Sequence, residues 1–507
     1  MGYVVGENRD QMMMLALDDM VAKDSMVRII DRFIEVCDFK KLGFINTEPK
    51  QQGRPSYEPR AMAKLYVYGY ENGTRSSRKL ERETYRNIEV MWLMNGLKPD
   101  HKTISEFRRK NIDPLQNLFR EFVKLCKSWE LIGGELVAVD GTKIKASNNK
   151  KMNYSRKKLD ARLKHIDQQI KEYLNSMEAN DRQEGEKTVN SPDKLQKLLE
   201  RKELYESYKA QLEASGENEL SAVDPDARLM GNNRGGVDMA YNVQSAVDSK
   251  YDLISEYDVS TNPSDQNQLG KMVEKVKGKI TKKQFTVLAD KGYYNGEDLL
   301  RVKSQNVTAI VSRQKPSNPK GQPKEFHTDK FTYNPQNDTY TCPMGEILYP
   351  HNKMTAKRRK FFNKTACSQC QHRKDCVKGK RQYRTVSRSQ YSQIYEETDK
   401  RTRENMDLYK LRQQIVEHPF GTIKHTMNGG YFLLRTKPKV SSEVALLSLG
   451  YNLKRVMNIL GFRELMKRLD SLFLKLVAKF LVFAAVFSRI HPNFANLNYG
   501  VIKNVAI

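Results

Sequence analysis

The chain has 507 residues, and its 88 lysine and arginine residues exceed its 61 aspartate and glutamate residues by 27 charges. That excess is far more than solubility requires, and it favours a polyanion such as nucleic acid over a small neutral metabolite as the partner. Hydrophobic residues make up 38% of the chain, which is enough to bury a core and excludes wholesale disorder. At roughly 150 residues per domain, the length predicts about three domains.

Cysteine content and hydropathy predict a reduced, cytoplasmic location. Six cysteines are too few for a disulfide scaffold. The first 20 residues carry acidic side chains where a secretory signal would be basic and then apolar. The most apolar window, residues 472–487, contains Lys475 and Lys479 and is shorter than the roughly 20 apolar residues of a membrane span. We therefore expect a packed helix there and no membrane partner.

Residues 1–130 are predicted to form a helical N-terminal DNA-binding domain. Apolar residues recur at helical spacing over residues 57–70, and the turn signal Asn72-Gly73 follows. Further helices are predicted over residues 76–94 and from Asp100 onward. Short helices with tight turns and many arginines are typical of a helix-turn-helix module, but an ordinary helical bundle with a basic face fits equally well.

Strand patterns begin after Gly133-Gly134 and alternate with helical ones, which predicts an α/β core over residues 131–460. The first predicted strand ends in Asp140 and a turn. The later predicted strands are 237–247, 253–259, 285–290 and 307–312. Helices are predicted after Asp265 and over residues 396–426 and 440–460, and an apolar C-terminal tail over residues 461–507.

Two insertions interrupt the predicted core. Residues 150–215 are highly charged with an apolar stripe in each of two arms, which predicts a helical hairpin of coiled-coil character. The stripes are Leu159, Leu163, Ile166, Ile170 and Leu174 in the first arm and Leu195, Leu199, Tyr208 and Leu212 in the second. Residues 325–385 form a polar, basic, cysteine-rich insertion.

Three carboxylates are candidates for a metal site. Two predicted strands end at Asp140 and Asp290, at the sheet edge where α/β proteins gather ligands. Glu417 lies in the helix-like segment 414–424. Convergent carboxylates suit Mg²⁺ or Mn²⁺, and two such ions roughly 3.5–4 Å apart can activate the attacking oxygen and stabilise the leaving oxygen of a phosphodiester. A single strand-end aspartate is often only a turn residue, but the combination with the basic charge favours a metal site.

Three short motifs resemble the catalytic motifs of insertion-sequence DDE transposases of the Y-R-E-K type: Asp140-Gly-Thr, Asp290-Lys-Gly-Tyr and Tyr409-x2-Arg412…Glu417-x6-Lys424. Residues 99–108 resemble the helical domain that precedes the core in many of them. The resemblance spans roughly residues 20–460. It implies an RNase H-like core, two divalent metal ions, and cleavage and transfer of DNA strands. It also implies double-stranded DNA partners (element ends and target), a homodimer assembled on DNA, and a bacterial, nucleoid-associated location.

The resemblance also assigns roles to single residues. Asp140 would bridge both metal ions, and Asp290 and Glu417 would each hold one. Lys424 follows Glu417 by seven positions, about −20° around an ideal helix, so it would meet a phosphate beside the metals.

The remaining motif residues, Arg412 and Tyr409, would contact DNA. Arg412 precedes Glu417 by five positions, where the family pattern has four, and so points about 140° away from it on an ideal helix. Pro419 can break the helix and change that geometry.

Some members of the family hold a flipped base on an aromatic residue, often tryptophan, between the second aspartate and the glutamate. Both tryptophans of this chain, Trp92 and Trp129, precede Asp140. Core packing is favoured over base stacking for the aromatic residues that could substitute. These are Tyr293, Tyr294, Phe361 and Phe362.

Four cysteines have the spacing C-x24-C-x2-C-x5-C: Cys342, Cys367, Cys370 and Cys376. One C-x2-C pair with two outlying cysteines predicts a structural zinc ion held by four thiolates in a zinc-ribbon-like insertion. His372 could replace one thiolate, and four free thiols are the alternative. Zinc is favoured because this insertion has little apolar sequence and a metal would help it fold.

A basic run accompanies the cysteines. Residues 355–385 contain 11 lysine and arginine residues and a single acidic residue, Asp375. A phosphate-binding edge anchored by two phenylalanines is favoured over a merely solvated face. The run consists of Lys357, Arg358, Arg359 and Lys360.

Two other functions are compatible with the sequence. A transposase-derived regulator would bind DNA without catalysis, but all three acids are present, which favours an enzyme. A metal-dependent nuclease would use the same metal chemistry without strand transfer.

Overall fold

The computed structural model describes residues 10, 12, 14–48, 55–182, 192–232, 235–278, 282–313, 321–351, 358–378 and 380–490. The chain is a mixed α/β protein with a helical N-terminal region.

The helices are α1 (Leu17–Met20), α2 (Met26–Glu35), α3 (Pro59–Glu71), α4 (Ser77–Arg86), α5 (Ile88–Leu93), α6 (His101–Lys110), α7 (Ile112–Ser128), α8 (Arg156–Arg182), α9 (Pro192–Ser215), α10 (Leu269–Val276), α11 (Gly296–Ser304), α12 (Lys364–Gln369), α13 (Arg373–Cys376), α14 (Ser392–Glu404), α15 (Met406–Gly421) and α16 (Lys437–Ile490). Short 3₁₀ turns occupy Lys150–Met152, Lys291–Tyr293, Lys324–Phe326 and Thr328–Lys330, and a π turn occupies Thr422–Thr426.

The strands are β1 (Leu136–Lys145), β2 (Asn153–Ser155), β3 (Glu219–Ser221), β4 (Arg228–Gly231), β5 (Val237–Asp248), β6 (Leu253–Ser260), β7 (Thr286–Ala289), β8 (Thr308–Val311), β9 (Thr332–Asn334), β10 (Thr339–Thr341), β11 (Ile347–Pro350), β12 (Arg358–Phe362) and β13 (Val386–Ser389).

The N-terminal helices form because their apolar residues share one face and their ends are capped. Asp100, for example, begins α6 by accepting the backbone N–H groups of Lys102 and Thr103. Helices α3 and α7 pack against α16. Part of the basic character is internal, since the buried Arg75 lies 3.4 Å from Glu443 and Arg108 donates to the Tyr70 hydroxyl. Helices α1 to α7 thus confirm the predicted helical character of the N-terminal region, and some of its arginines pack in the core.

The central sheet has β1 between β5, to which it is antiparallel, and β7, to which it is parallel. Strand β8 continues the sheet in parallel beyond β7. Strands β4 and β6 pair with successive parts of the outer edge of β5. Apolar side chains fill both faces of this sheet, with α7 and α16 in the core on one face and α10 and α11 on the other.

Strand β1 corrects the sequence prediction at Asp140. We expected the strand to end there in a turn, but the pairing with β5 continues through Asp140 and Gly141 as far as Lys145. It is β7 that stops, and its pairing with β1 ends at the partners Val139 and Ala289. Asp140 therefore lies inside a strand and opposite the point where the neighbouring strand ends.

Both insertions fold separately from this sheet. Helices α8 and α9 pack as the predicted hairpin around Leu159, Ile166 and Leu212, while Leu174 and Leu199 at the far end of the stripe are exposed. The cysteine-rich insertion contains a five-stranded sheet in the order β13-β12-β11-β10-β9.

Helix α16 extends beyond the predicted segment 440–460. It continues through the first part of the predicted tail to Ile490, and Gly461, with φ 74°, interrupts its helical backbone. None of the described helices combines the length and the apolar character needed to cross a membrane.

Candidate active site

Asp140 and Asp290 lie side by side because each follows the last paired residue of β1 and β7, Val139 and Ala289. Adjacent strands are about 4.8 Å apart, so the two residues are neighbours at one sheet edge. Each carboxylate accepts a backbone N–H close in sequence, from Gly141 at 2.9 Å and from Gly292 at 2.6 Å. The two aspartates that the sequence selected are thus brought together.

The surroundings of Asp140 raise the pKa of its carboxyl group in the metal-free chain. Burial raises the pKa of Asp140 to about 6, and the charges of Asp290 and Asp265 add to this effect. Arg412 opposes it, with Nη1 3.9 Å from Asp140 Oδ2. The buried Nε of Arg412 has no hydrogen-bond partner within the described residues. The site therefore concentrates negative charge that a single guanidinium only partly offsets.

The sequence analysis missed Asp265 as a candidate site residue. Its Oδ1 accepts the side-chain amides of Asn242 and Gln244, both at 2.8 Å. The Oε1 of Gln244 in turn accepts the hydroxyl of Tyr293, which is fully buried. Asp265 follows β6 by five residues, so the strand-end rule that selected the other two aspartates would have found it only if extended into the loop.

Gly141 makes the close approach of Asp265 possible. A Cβ at this position would lie 2.4 Å from both Asp265 Oδ1 and Gln244 Nε2. We expect Gly141→Ala to displace these side chains and to lower the free energy of unfolding by roughly 1–3 kcal/mol, the usual cost of overpacking. Urea denaturation would measure this. Gly231→Ala, on β4 with open space around its Cβ, is the matched control and should change stability by less than the Gly141 variant. Equal effects of the two variants would contradict the steric argument.

Glu417 and Lys424 do not share one face of a single α-helix, as the sequence analysis had expected, because a π turn follows α15. Helix α15 continues through Pro419, so the proline does not break it before Gly421. A π turn then contains Lys424, whose Nζ donates to the Thr142 hydroxyl. Burial lowers the pKa of Lys424, and the charge of Asp140 opposes that shift. Glu417 is exposed, and its Oε1 accepts the side-chain amide of Gln413 at 2.7 Å.

Arg412 lies on the side of α15 that faces Asp140, as its distance from that carboxylate shows. The five-residue spacing predicted that Arg412 and Glu417 would point in different directions, and their contacts differ in that way. The Arg412 guanidinium also lies 5.9 Å from the ring centre of Tyr409, which packs partly buried against the core.

The pH dependence of stability gives a test of the Asp140 environment. Because the pKa of Asp140 is raised on folding, its ionised form is disfavoured in the folded chain, and stability is lost as the pH rises from about 4 through 6. In the metal-free protein, Asp140→Asn should therefore be more stable than the wild type at pH 7.5, by roughly 2 kcal/mol. The difference should shrink towards pH 4.5. Urea denaturation in EDTA at both pH values measures it, and a difference independent of pH would contradict this account.

The donor chemistry of the site fits a hard cation. Among the residues described, no three or more His, Cys, Asp or Glu side chains are placed as a group that could already hold a metal ion. The side chains around Asp140 nevertheless offer oxygen donors, which Mg²⁺ and Mn²⁺ prefer. Ser245, the cross-strand partner of Asp140, adds a buried hydroxyl without a hydrogen-bond partner in the described part of the chain.

Comparison with known protein families identifies the chain. Residues 15–110 match the family model described as a transposase domain (DUF772). Residues 341–457 match the model described as a transposase DDE domain, and this range includes Glu417 and Lys424. The two matches support an insertion-sequence DDE transposase. Asp140 and Asp290 lie between the two matched ranges, so their assignment in this transposase depends on the geometry described above.

Two further comparisons add little to this assignment. The search of curated proteins gave no match. Among solved structures, a piggyBac transposase synaptic complex with hairpin DNA is similar with a TM-score of 0.28 and 9% sequence identity, over 95% of this chain and 83% of that chain. A TM-score this low does not establish a shared fold.

The four cysteines of the transposase insertion are neighbours, although within the described residues they, like the carboxylates, are not placed as a group that could already hold a metal ion. All four are unpaired and partly exposed, and they line a common cavity of about 30 Å³. Burial raises the pKa of Cys376 to about 11, and the other three cysteines contribute to the shift. His372 instead packs beside the ring of Phe326, with ring centres 5.6 Å apart. The arrangement therefore favours the four thiols as a set over a set that includes His372.

The predicted basic edge is only partly free to contact DNA. Lys357 lies outside the described residues. Arg358 and Lys360 are exposed on β12, whereas Arg359 forms an ion pair with Asp338.

The aromatic residues considered for base stacking pack inside the protein. Phe361 and Tyr293 are fully buried, which confirms the packing role predicted for them. Tyr294 stacks on Tyr395 with ring centres 4.8 Å apart, and Phe362 packs near Tyr383.

Proposed function

We propose that this DNA transposase cleaves and transfers DNA strands at the ends of an insertion sequence, using two divalent metal ions held by Asp140, Asp290 and Glu417. The observation that carries the proposal is the register of β1 and β7, which places Asp140 and Asp290 next to each other. The antiparallel strands β1, β5 and β6, followed by β7 and β8 parallel to β1, support an RNase H-like core. The ions would activate the attacking oxygen and stabilise the leaving oxygen of the phosphodiester.

The residues of the chain have separate tasks in this proposal. Asp140 and Asp290 hold the cations, and their own charges are then neutralised. Lys424, fixed at Thr142 beside Asp140, holds a phosphate oxygen near the reacting bond. Arg412 offsets the charge of Asp140 while no cation is present, and its guanidinium would be released to a DNA phosphate once a cation replaces it there.

Glu417 is proposed as the third carboxylate for two reasons. It belongs to α15, the helix that carries Arg412 to Asp140, and it lies within the matched DDE domain. Its side chain is exposed and contacts only an amide in the interactions described for it, so reorienting it breaks no ion pair.

We further propose that Cys342, Cys367, Cys370 and Cys376 hold one structural zinc ion and that the insertion is a zinc-ribbon-like module. The cavity that these four residues line and the small apolar core of the insertion support this. Arg358 and Lys360 on β12, together with Lys357, would contact phosphates. The helical N-terminal region would bind the element ends, and two copies of the chain would assemble on DNA.

The proposed function is tested by incubating the purified transposase with Mg²⁺ and DNA that carries the ends of its own element. Mapping of the products should show cleavage at the element ends and joining to target DNA. Cleavage without joining would instead indicate a nuclease, and binding without cleavage a regulator. DNA affinity should also fall steeply with salt, because lysine and arginine contacts release counterions from the phosphates. A flat dependence of log affinity on log salt would contradict electrostatic DNA binding.

A further inference from the structure

One face of β1 changes character at the carboxylates. Val137 and Val139 point into the buried core beneath α10 and α11. Side chains alternate along a strand, so Gly141, Lys143 and Lys145 continue the same face. Both lysines are exposed, and neither forms an ion pair within the described residues. The apolar face of the sheet thus becomes a cationic one immediately beyond Val139, while the side chains of Asp140 and Thr142 lie on the other face of β1.

This cationic face lines a trough that reaches Asp265 at one end, and Thr142 and Lys424 beside Asp140 also line it. The trough has a volume of about 870 Å³, and Ala240 and Asn242 of β5 line it between β1 and β4. Lys143 and Lys145 stand on the β1 side, and Asp265 closes the end next to Gly141. Two carboxylates also line it, but each accepts a side-chain amide, Asp265 from Asn242 and Asp238 from Asn232.

The dimensions of the trough suit one nucleic-acid strand. Its floor extends from β4 across β5 to β1, and two strand spacings amount to about 10 Å. The major and minor grooves of B-DNA are about 12 and 6 Å wide, so a duplex that presents both is broader than this floor. At about 3.4 Å per residue, Lys143 and Lys145 lie about 10 and 17 Å from Asp140 along β1, within reach of phosphates a few nucleotides away from the reacting one.

We propose that this trough holds an unpaired stretch of the DNA strand that adjoins the bond being cleaved, with Lys143 and Lys145 contacting its phosphates. Lys424, which also lines the trough, is the contact closest to Asp140. The inference rests on the proposed function, because it takes Asp140 and Asp290 as the place of reaction. It adds that the DNA is single-stranded on this side of the reacting phosphate.

The test compares three DNA probes of fixed sequence. Two are duplexes of about 20 base pairs with an overhang of about six nucleotides, one at the 3′ and one at the 5′ end, and the third is a blunt duplex of equal total length. Ca²⁺ replaces Mg²⁺, since its looser coordination supports binding and not cleavage. The test variant is Lys143→Ala/Lys145→Ala. The control is Lys164→Ala/Lys171→Ala, which removes the same charge from exposed positions of α8.

We expect the wild type to bind one overhang duplex about tenfold more tightly than the blunt duplex and the test variant to lose that preference. The test variant loses two contacts with single-strand phosphates. Its slope of log affinity against log salt should therefore be smaller than that of the wild type by about 1.4. The control variant should bind all three probes more weakly by the same factor, so that it keeps the preference for the overhang. A photoreactive base in the overhang should crosslink to residues 141–145 or 228–232, as mapped by mass spectrometry.

The outcomes separate this inference from the proposed function. If the wild-type protein bound none of the three probes, that result would contradict the proposed function itself. A wild type that binds DNA without overhang preference, or a test variant that keeps the preference, overturns the trough alone. Crosslinks confined to the β12 edge would also overturn it, because the unpaired strand would then follow a different surface.

Discussion

Asp140→Ala is expected to reduce DNA cleavage to background while DNA affinity stays within about twofold of the wild type, because the substitution removes a metal ligand and no phosphate contact. Loss of a residue that only supports a metal ligand typically costs 10–100-fold, so loss of the ligand itself should exceed about a hundredfold. Asp290→Ala should behave in the same way, since its carboxylate lies beside that of Asp140. Cleavage assays with the element-end DNA and Mg²⁺, paired with gel-shift titrations, measure both properties.

The surface acid Asp407 provides a control on the helix that carries Glu417. Its side chain is 99% exposed at the start of α15, so Asp407→Ala should cleave DNA at the wild-type rate. Near wild-type cleavage by the Asp140 or the Asp290 variant would show that the residue is wrongly assigned.

The identity of the third carboxylate is decided by two more variants. Glu417→Ala should abolish cleavage if Glu417 reorients towards the cations. Asp265→Asn should then have the smaller effect, because Asp265 is already engaged by two amides. The reverse order would assign the third position to Asp265.

Regular elements could be predicted from the sequence because their signals are local. The pairing of β5 with β6 and the hairpin of α8 and α9 follow from alternation, apolar stripes and turn residues within each segment. The position of Asp140 within its strand could not be predicted in this way. A glycine after an aspartate resembles a turn, and only the pairing with β5, about 100 residues later in the chain, keeps Gly141 extended.

The site itself was predictable only in part. Asp140 and Asp290 were both selected as strand ends, which is wrong for Asp140, yet the register of β1 and β7 still places the two residues side by side. Asp265 joins them through amides of Asn242 and Gln244 on another strand, and these side chains carry no sequence signal of their own. The direction of Lys424 depends on the π turn that follows α15, which a projection at 100° per residue does not include.

The second large effect that we expect is the unfolding of the cysteine-rich insertion when zinc is removed. The transposase purified under reducing conditions should contain about one zinc ion per chain, bound by four thiolates at roughly 2.3 Å. Structural zinc sites contribute about 10–16 kcal/mol in small modules, whereas the apolar core of this insertion is small. Chelation should therefore unfold the insertion first, and limited proteolysis should show new cuts within residues 340–385 before the central sheet is cleaved.

Substitution separates the zinc ligands from the rest of the insertion. Cys370→Ser should lose the zinc and become sensitive to proteolysis without chelator, whereas Ser368→Ala, two residues away on α12, should keep both properties of the wild type. Because thiolates select zinc and carboxylates select magnesium, the Cys370 variant should keep its response to Mg²⁺ at Asp140 and Asp290. Metal analysis that finds no zinc in the wild-type protein would contradict the site, because the four cysteines would then be free thiols.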